Sequence, residues 1–168
     1  MLGPMSQNVG GPAEYASDID AARERLVAFV DGCTDEQWTA APLEGDPRPV
    51  GMVVDHVAHS YEYLAGWISQ LLAGKTVMVD ADVVDARNAE HAGRATGVTR
   101  PEALEYLRHS GAALSRLVAG CSGADLQAGE GRVERFVQVA IRHADNHRTE
   151  IEAGLAAWPC HAEGSHER

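Results

Sequence analysis

GRVERFVQVAIRHADNHRTEIEAGLAA, residues 131–157, is the stretch that decides the fold. Each residue of an α-helix turns about 100° around the axis, so positions three, four and seven apart share a face. On that spacing Val133, Val137, Ala140, Ala144, Ile151 and Leu155 fall in line, while Glu134, Asp145 and Glu152 point away. A run of this length with a 3.6-residue apolar period is an amphipathic helix with one face to bury. The same turn places His143 and His147 about 40° apart, in one sector with Phe136, Ala140, Ile151 and Gly154. Both imidazoles therefore stand at the edge of the buried stripe and aim inward.

Three further segments repeat the pattern. One runs from Asp18, read as an N-cap, to Val30 through Ile19, Ala22, Leu26 and Phe29. A second follows the Pro47/Pro49 turn from Val50 to Ala73, with Val53, Val57, Leu64, Ile68 and Leu71 aligned. The third opens on Thr99-Arg100-Pro101-Glu102, a capping box with proline in the first turn. It continues to Ala119 through Leu104, Leu107, Leu114, Leu117 and Val118. No stretch alternates as a strand does, and Thr76-Val77-Met78-Val79 is too short to build a sheet.

Four amphipathic helices in one chain of 168 residues predict an all-α, four-helix bundle. The connection from Gly74 to Val98 suits a crossover between the second and third helices, with a short helix of its own within Asp80–Ala92. The domain is expected over 14–158, between a disordered N-terminal tail, 1–13, and a disordered C-terminal tail, 159–168.

Composition narrows the function. A hydrophobic fraction of 45% and a charged fraction of 23% suit a globular domain. A net charge of −11 repels phosphate backbones and anionic lipid, so neither nucleic acid nor a membrane is an expected partner. No apolar run is long enough to span a bilayer, and Met1–Pro12 lacks the basic and apolar regions of a signal peptide. Cys33, Cys121 and Cys160 form no C-x-x-C pair and no disulfide framework. These features predict a cytoplasmic protein and leave a small-molecule substrate open as its partner.

Helical geometry also sorts the histidines. His56 shares its face with Met52, Ser60, Tyr63 and Trp67, beside the apolar stripe of the second helix, and points inward. His59 groups with Asp55, Glu62 and Gly66 and is expected on the solvated face, as is His109 near Arg116. His91 falls in the crossover, and His161 and His166 in the tail. His56, His143 and His147 remain. An i, i+4 pair can set two ring nitrogens on one metal ion, although each ring can equally be a hydrogen-bonded core residue.

Val53-Val54-Asp55-His56-Val57-Ala58 and His143-Ala144-Asp145-Asn146-His147-Arg148-Thr149-Glu150-Ile151 resemble signatures of the DinB/YfiT-like superfamily in its second and fourth helices. Thr34-Asp35-Glu36-Gln37-Trp38 is similar to the family's segment after the first helix, and the resemblance covers Asp18 to Leu155. It implies a four-helix bundle, often a homodimer, with one divalent metal ion on His56, His143 and His147. Where many thiol-dependent members carry Trp-Ser or Trp-Thr before the second helix, this chain has Arg48-Pro49-Val50-Gly51.

Three imidazoles leave coordination positions open on zinc, nickel, iron or manganese, and such an ion lowers the pKa of a bound water or thiol. The family's use of mycothiol, bacillithiol or glutathione implies a low-molecular-weight thiol as cosubstrate. The expected activity is that of a metal-dependent S-transferase or isomerase, or of a related hydrolase. The alternative is a non-catalytic protein that binds metal or a small toxic molecule in stress response or self-resistance. Tyr63, Trp67 and Phe136 share the ligand faces and either wall an apolar substrate pocket or belong to the core. Asp85, Asn88 and Glu90 are candidates to overhang the site, and Arg148 is expected to pair with Glu152.

Overall fold

The computed structural model describes residues 10–158. Among these described residues seven helices follow one another: α1 (Pro12–Asp31), α2 (Asp35–Thr39), α3 (Val50–Leu72), α4 (Ala81–Arg94), α5 (Arg100–Ala119), α6 (Gly123–Leu126) and α7 (Ala128–Ala157). The expected tails at 1–9 and 159–168, with Cys160, His161 and His166, lie outside the described residues.

The four long helices α1, α3, α5 and α7 form the bundle, with α1 and α3 each packed against both α5 and α7. Cross-helix contacts fix the directions. Tyr15 donates to Glu134 at 2.6 Å and Arg25 pairs with Asp145 at 2.6 Å, so α1 and α7 run parallel. Ser115 meets Asp20 and Arg108 meets Asp31, so α5 runs against α1. His56 meets His143 and Trp67 meets Phe136, so α3 runs against α7. It follows that α3 and α5 are parallel neighbours, and their link must return the length of the bundle, as a crossover does. The crossover carries α4, whose N-cap Asp80 accepts from the Val83 backbone N–H at 3.0 Å.

The core holds Ile19, Leu26, Val53, Val57, Leu64, Ile68, Leu107, Leu114, Val137, Ala140 and Ile151, the stripes predicted from periodicity. At α5 the Thr99 N–H donates to Glu102 at 3.0 Å, as the capping box requires.

Two boundaries differ from the sequence reading. The N-cap of α1 is Gly11 rather than Asp18, and Pro12 and Ala13, assigned to the tail, are its first turn. Proline is preorganised for that position, and burial of Tyr15 and Ala16 extends the apolar stripe one turn upstream of Ile19. At the other end of the chain α7 reaches back to Ala128 through a left-handed kink at Gly129, Glu130 and Gly131, so regular helix begins at Arg132. The small helix α6 ahead of it carried no apolar period to announce it; its signal is the Ser122–Asp125 capping box.

Two close approaches tie loops to the bundle. A Cβ on Gly51 would lie 2.7 Å from the ring of Trp38, so the first turn of α3 accepts the α2 indole only because that position is glycine. A Cβ on Gly154 would lie 2.7 Å from the carbonyl oxygen of Pro42. The loop before α3 thus rests directly on the last turns of α7, two turns beyond His147.

Candidate metal centre

Helix α3 delivers His56 and α7 delivers His143 and His147, each from the edge of an apolar stripe where antiparallel packing brings them level. The ring centroids lie 5.0 Å (56 to 143), 5.5 Å (56 to 147) and 4.5 Å (143 to 147) apart. One nitrogen from each ring falls within 4.8 Å of the others, and the three form a group that could hold a metal ion. The structure brings together the three histidines that the sequence reading singled out.

The donor atoms can be assigned. His56 Nε2 and His143 Nε2 face each other at 3.2 Å. His147 Nδ1 is engaged by Glu150 Oε2 at 3.0 Å, which leaves Nε2 of that ring for the group. A histidine ligand commonly donates its other N–H to a carboxylate in this way, which fixes tautomer and orientation. Burial strips water from all three rings and disfavours their charged forms. It holds His56 down to about 2 and His143 to about 4, with the adjacent imidazoles and Arg48 pushing the same way. His147 is lowered by burial too, against the opposing pull of Glu150. All three rings are neutral at pH 7, the state in which imidazole is a ligand.

These residues fit a cation. The 3.2 Å Nε2 separation is close to the edge, about 3.3 Å, of a tetrahedron with bonds of about 2.0–2.1 Å. Two facing nitrogen lone pairs need something positive between them. A shared proton would serve His56 and His143 and leave His147 unserved, whereas an ion serves all three.

The surroundings are only partly as the sequence predicts. Arg148 pairs with Glu152 at 2.7 Å as expected, and His109 is exposed. His59 is not on a solvated face; it is buried, because α4 and Tyr106 of α5 cover that side of α3. His91, left unassigned in the crossover, is buried as well. Its Nε2 bonds Asp55 Oδ2 at 2.8 Å, and its ring lies 5.6 Å from His56 and 5.2 Å from His59. A signal for it exists in the sequence: after the Asp80 cap, Val83, Val84, Arg87, Asn88 and His91 make the covered stripe of α4, while Asp85 and Glu90 are exposed.

Tyr63, Trp67 and Phe136 form a ladder across α3 and α7, with centroids 4.7 and 5.5 Å apart. Trp67 is buried and Phe136 packs on the core, while Tyr63 and Trp67 also line a cleft of about 320 Å³ beside Arg87. The pocket and core readings are thus divided among the three rather than shared equally by each.

Opposite the triad, Arg48 bonds Asp46 at 2.7 Å, and the pairing holds that carboxyl below its usual range. Arg48 stands in the Arg48-Pro49-Val50-Gly51 segment and contributes a fixed positive charge to the field around all three rings. No helix among the described residues is long and apolar enough to cross a membrane.

No curated protein gives a significant match to the chain. The DinB superfamily model matches residues 18–151, a span that contains the bundle core except Tyr15 and Ala16 and all three histidines of the triad. On that match, and on a helical bundle with a long crossover between α3 and α5, the chain belongs to the DinB superfamily.

Proposed function

We propose that the chain is a metalloenzyme in which His56, His143 and His147 hold one divalent ion, zinc, nickel, iron or manganese. In this reading the enzyme activates a small thiol, mycothiol or one like it, for S-transfer or isomerisation, or activates water in a hydrolytic relative. The observation that carries the proposal is the convergence of three neutral nitrogens, two of them 3.2 Å apart, with no fourth protein ligand in the group among the described residues. Three protein ligands with open positions are the donor set of reactive rather than structural metal sites. When bound, the ion supplies a lowered pKa to a coordinated thiol or water.

The chain's own residues do the rest. Glu150 orients His147, and the low-dielectric surroundings keep the imidazoles unprotonated. Arg48, clamped by Asp46, adds positive potential that favours an anionic thiolate over a neutral thiol. The bundle is expected to work as a homodimer in the cytoplasm, with Tyr63 and Trp67 against an apolar part of the substrate.

Elemental analysis of the purified chain should find close to one divalent ion. His147→Ala should lose it and the exposed His109→Ala should keep it; equal retention by both removes the proposal. With metal loaded, a screen of small thiols should show metal-dependent binding and conjugation. Metal without thiol binding or turnover would instead support the non-catalytic, metal- or small-molecule-binding alternative.

A further inference from the structure

On the other side of α3, between α4 and α5, lies a set of side chains that the triad does not use. The Tyr106 hydroxyl donates its hydrogen to Glu62 Oε2, and its oxygen faces His59 Nδ1 at 3.3 Å. With the hydroxyl hydrogen committed to the carboxylate, the proton of that second contact must come from the imidazole. His59 is therefore the Nδ1–H tautomer, and its Nε2 is a bare acceptor.

That acceptor is unpartnered. His59 is only 6% exposed, and its Nε2 is buried with no hydrogen bond. Buried polar atoms are nearly always satisfied, so an unsatisfied one calls for a reason. His59 lines two adjoining clefts, one of about 430 Å³ with His91, Arg94, Tyr106 and the carboxylates of Asp55 and Glu102, the other of about 320 Å³ with Tyr63, Trp67, Arg87 and the carboxylates of Glu62 and Glu90.

A second observation comes from α4. The Arg87 guanidinium carbon stands 5.9 Å from the centre of the Tyr63 ring and 5.8 Å from that of Trp67. Among the described residues no carboxylate pairs with it, although its neighbour Arg94 reaches Glu90 at 3.9 Å. Stacking occupies the face of a guanidinium and leaves its in-plane N–H groups for a planar anion. One cleft thus presents a fixed cation, an aromatic wall and a buried acceptor that needs a donor.

We propose that the α3–α4 cleft binds a small carboxylic acid carrying a hydroxyl or amino group, with Arg87 on the carboxylate and, once the side chains that cover it part, His59 Nε2 accepting from the donor. His91 lies between His59 and His56, with ring distances of 5.2 and 5.6 Å, so the bound acid sits one imidazole away from the triad. The inference goes beyond the metal reading and stands on different residues.

The test uses the full chain after chelation, titrated with 3-phenyllactate and followed by NMR and calorimetry. Two matched probes remove one feature each: 3-phenylpropionate lacks the hydroxyl, and 3-phenyllactamide lacks the carboxylate. The expected result is saturable binding of phenyllactate, with each matched probe about 5–10-fold weaker. Arg87→Gln should erase the preference over the lactamide. His59→Phe should erase the preference over phenylpropionate, and Tyr106→Phe, which frees the ring to change tautomer, should shrink it. Equal binding of the three probes, no saturable binding of phenyllactate, or preferences that survive these substitutions would overturn the proposal. Binding that appears only once metal is restored would also overturn it, because the acid would then be a metal ligand; the assignment of the triad would stand.

Discussion

His56 and His59 stand one helical turn apart on α3 and meet opposite surroundings. His56 faces two more imidazoles, nitrogen to nitrogen, with Glu150 engaging the outer nitrogen of His147. Toward His59 and His91 the chain turns oxygen atoms instead: the Tyr106 hydroxyl on one ring and the Asp55 carboxylate on the other. Imidazoles that converge on one another suit a cation, and imidazoles bound to phenol and carboxylate suit proton placement and ligand contact. The five imidazoles of this region are therefore two devices.

The largest effect expected from this division is on metal affinity. Removing a ligand with His147→Ala should lower it by more than about 100-fold, while Glu150→Ala, which loses only the orienting carboxylate, should cost about 10–100-fold. His91→Gln, in the second group, should change it by less than about threefold. Metal titrations monitored by calorimetry decide the matter, and a loss with His91→Gln as large as that with His147→Ala would merge the two groups into one.

The pH response of the chelated chain comes next. His56 and His143 are depressed in the fold to about 2 and about 4, against an ordinary value near 6.5. Between those folded values and 6.5 the unfolded chain binds more protons than the folded one, so stability rises with pH in that window and falls on acidification. Each ring contributes up to about 1.4 kcal/mol per pH unit there. Urea melts at pH 7 and pH 5 should show the loss, and saturating metal at pH 7 should add stability without being required for folding. A chelated chain as stable at pH 5 as at pH 7 would contradict the burial of the triad.

Gly154→Ala separates the groups by a different route. Its Cβ would press on the Pro42 carbonyl and lift the loop that carries Asp46 and Arg48 toward the triad. The expected cost is about 1–3 kcal/mol in denaturant melts, with metal affinity reduced and the His59 side untouched. The smallest effect belongs to Asp55→Asn, which exchanges a carboxylate acceptor for a neutral one at His91 and should cost about 1 kcal/mol. Its metal affinity should match that of the wild type.

Much of this was legible in the sequence, and the failures have a common cause. The apolar period fixes α3 and α5 nearly to the residue, and the i, i+4 spacing of His143 and His147 needs only helical geometry to point both rings inward. His59 was misjudged because its neighbours Asp55, Glu62 and Gly66 look like a solvated face, and a single-helix projection cannot show that Tyr106 and α4 cover it. His91 stays unassigned because its helix has few large apolar residues; beside Val83 and Val84, the stripe it covers is Arg87, Asn88 and His91 itself. Pro12 was the overlooked sign at the N-terminus. Local periodicity reports what a helix would bury, whereas the second group depends on which neighbour arrives.

The parallel course of α3 and α5 has a consequence for how the halves of the chain hold together. The long return that it demands includes Met78, which is 74% exposed. Severing the backbone there would leave His56 on one fragment and His143 with His147 on the other, so neither piece alone would own the full donor set. An ion gripped by all three would then be a clasp, and its affinity would measure how firmly the two fragments reassociate.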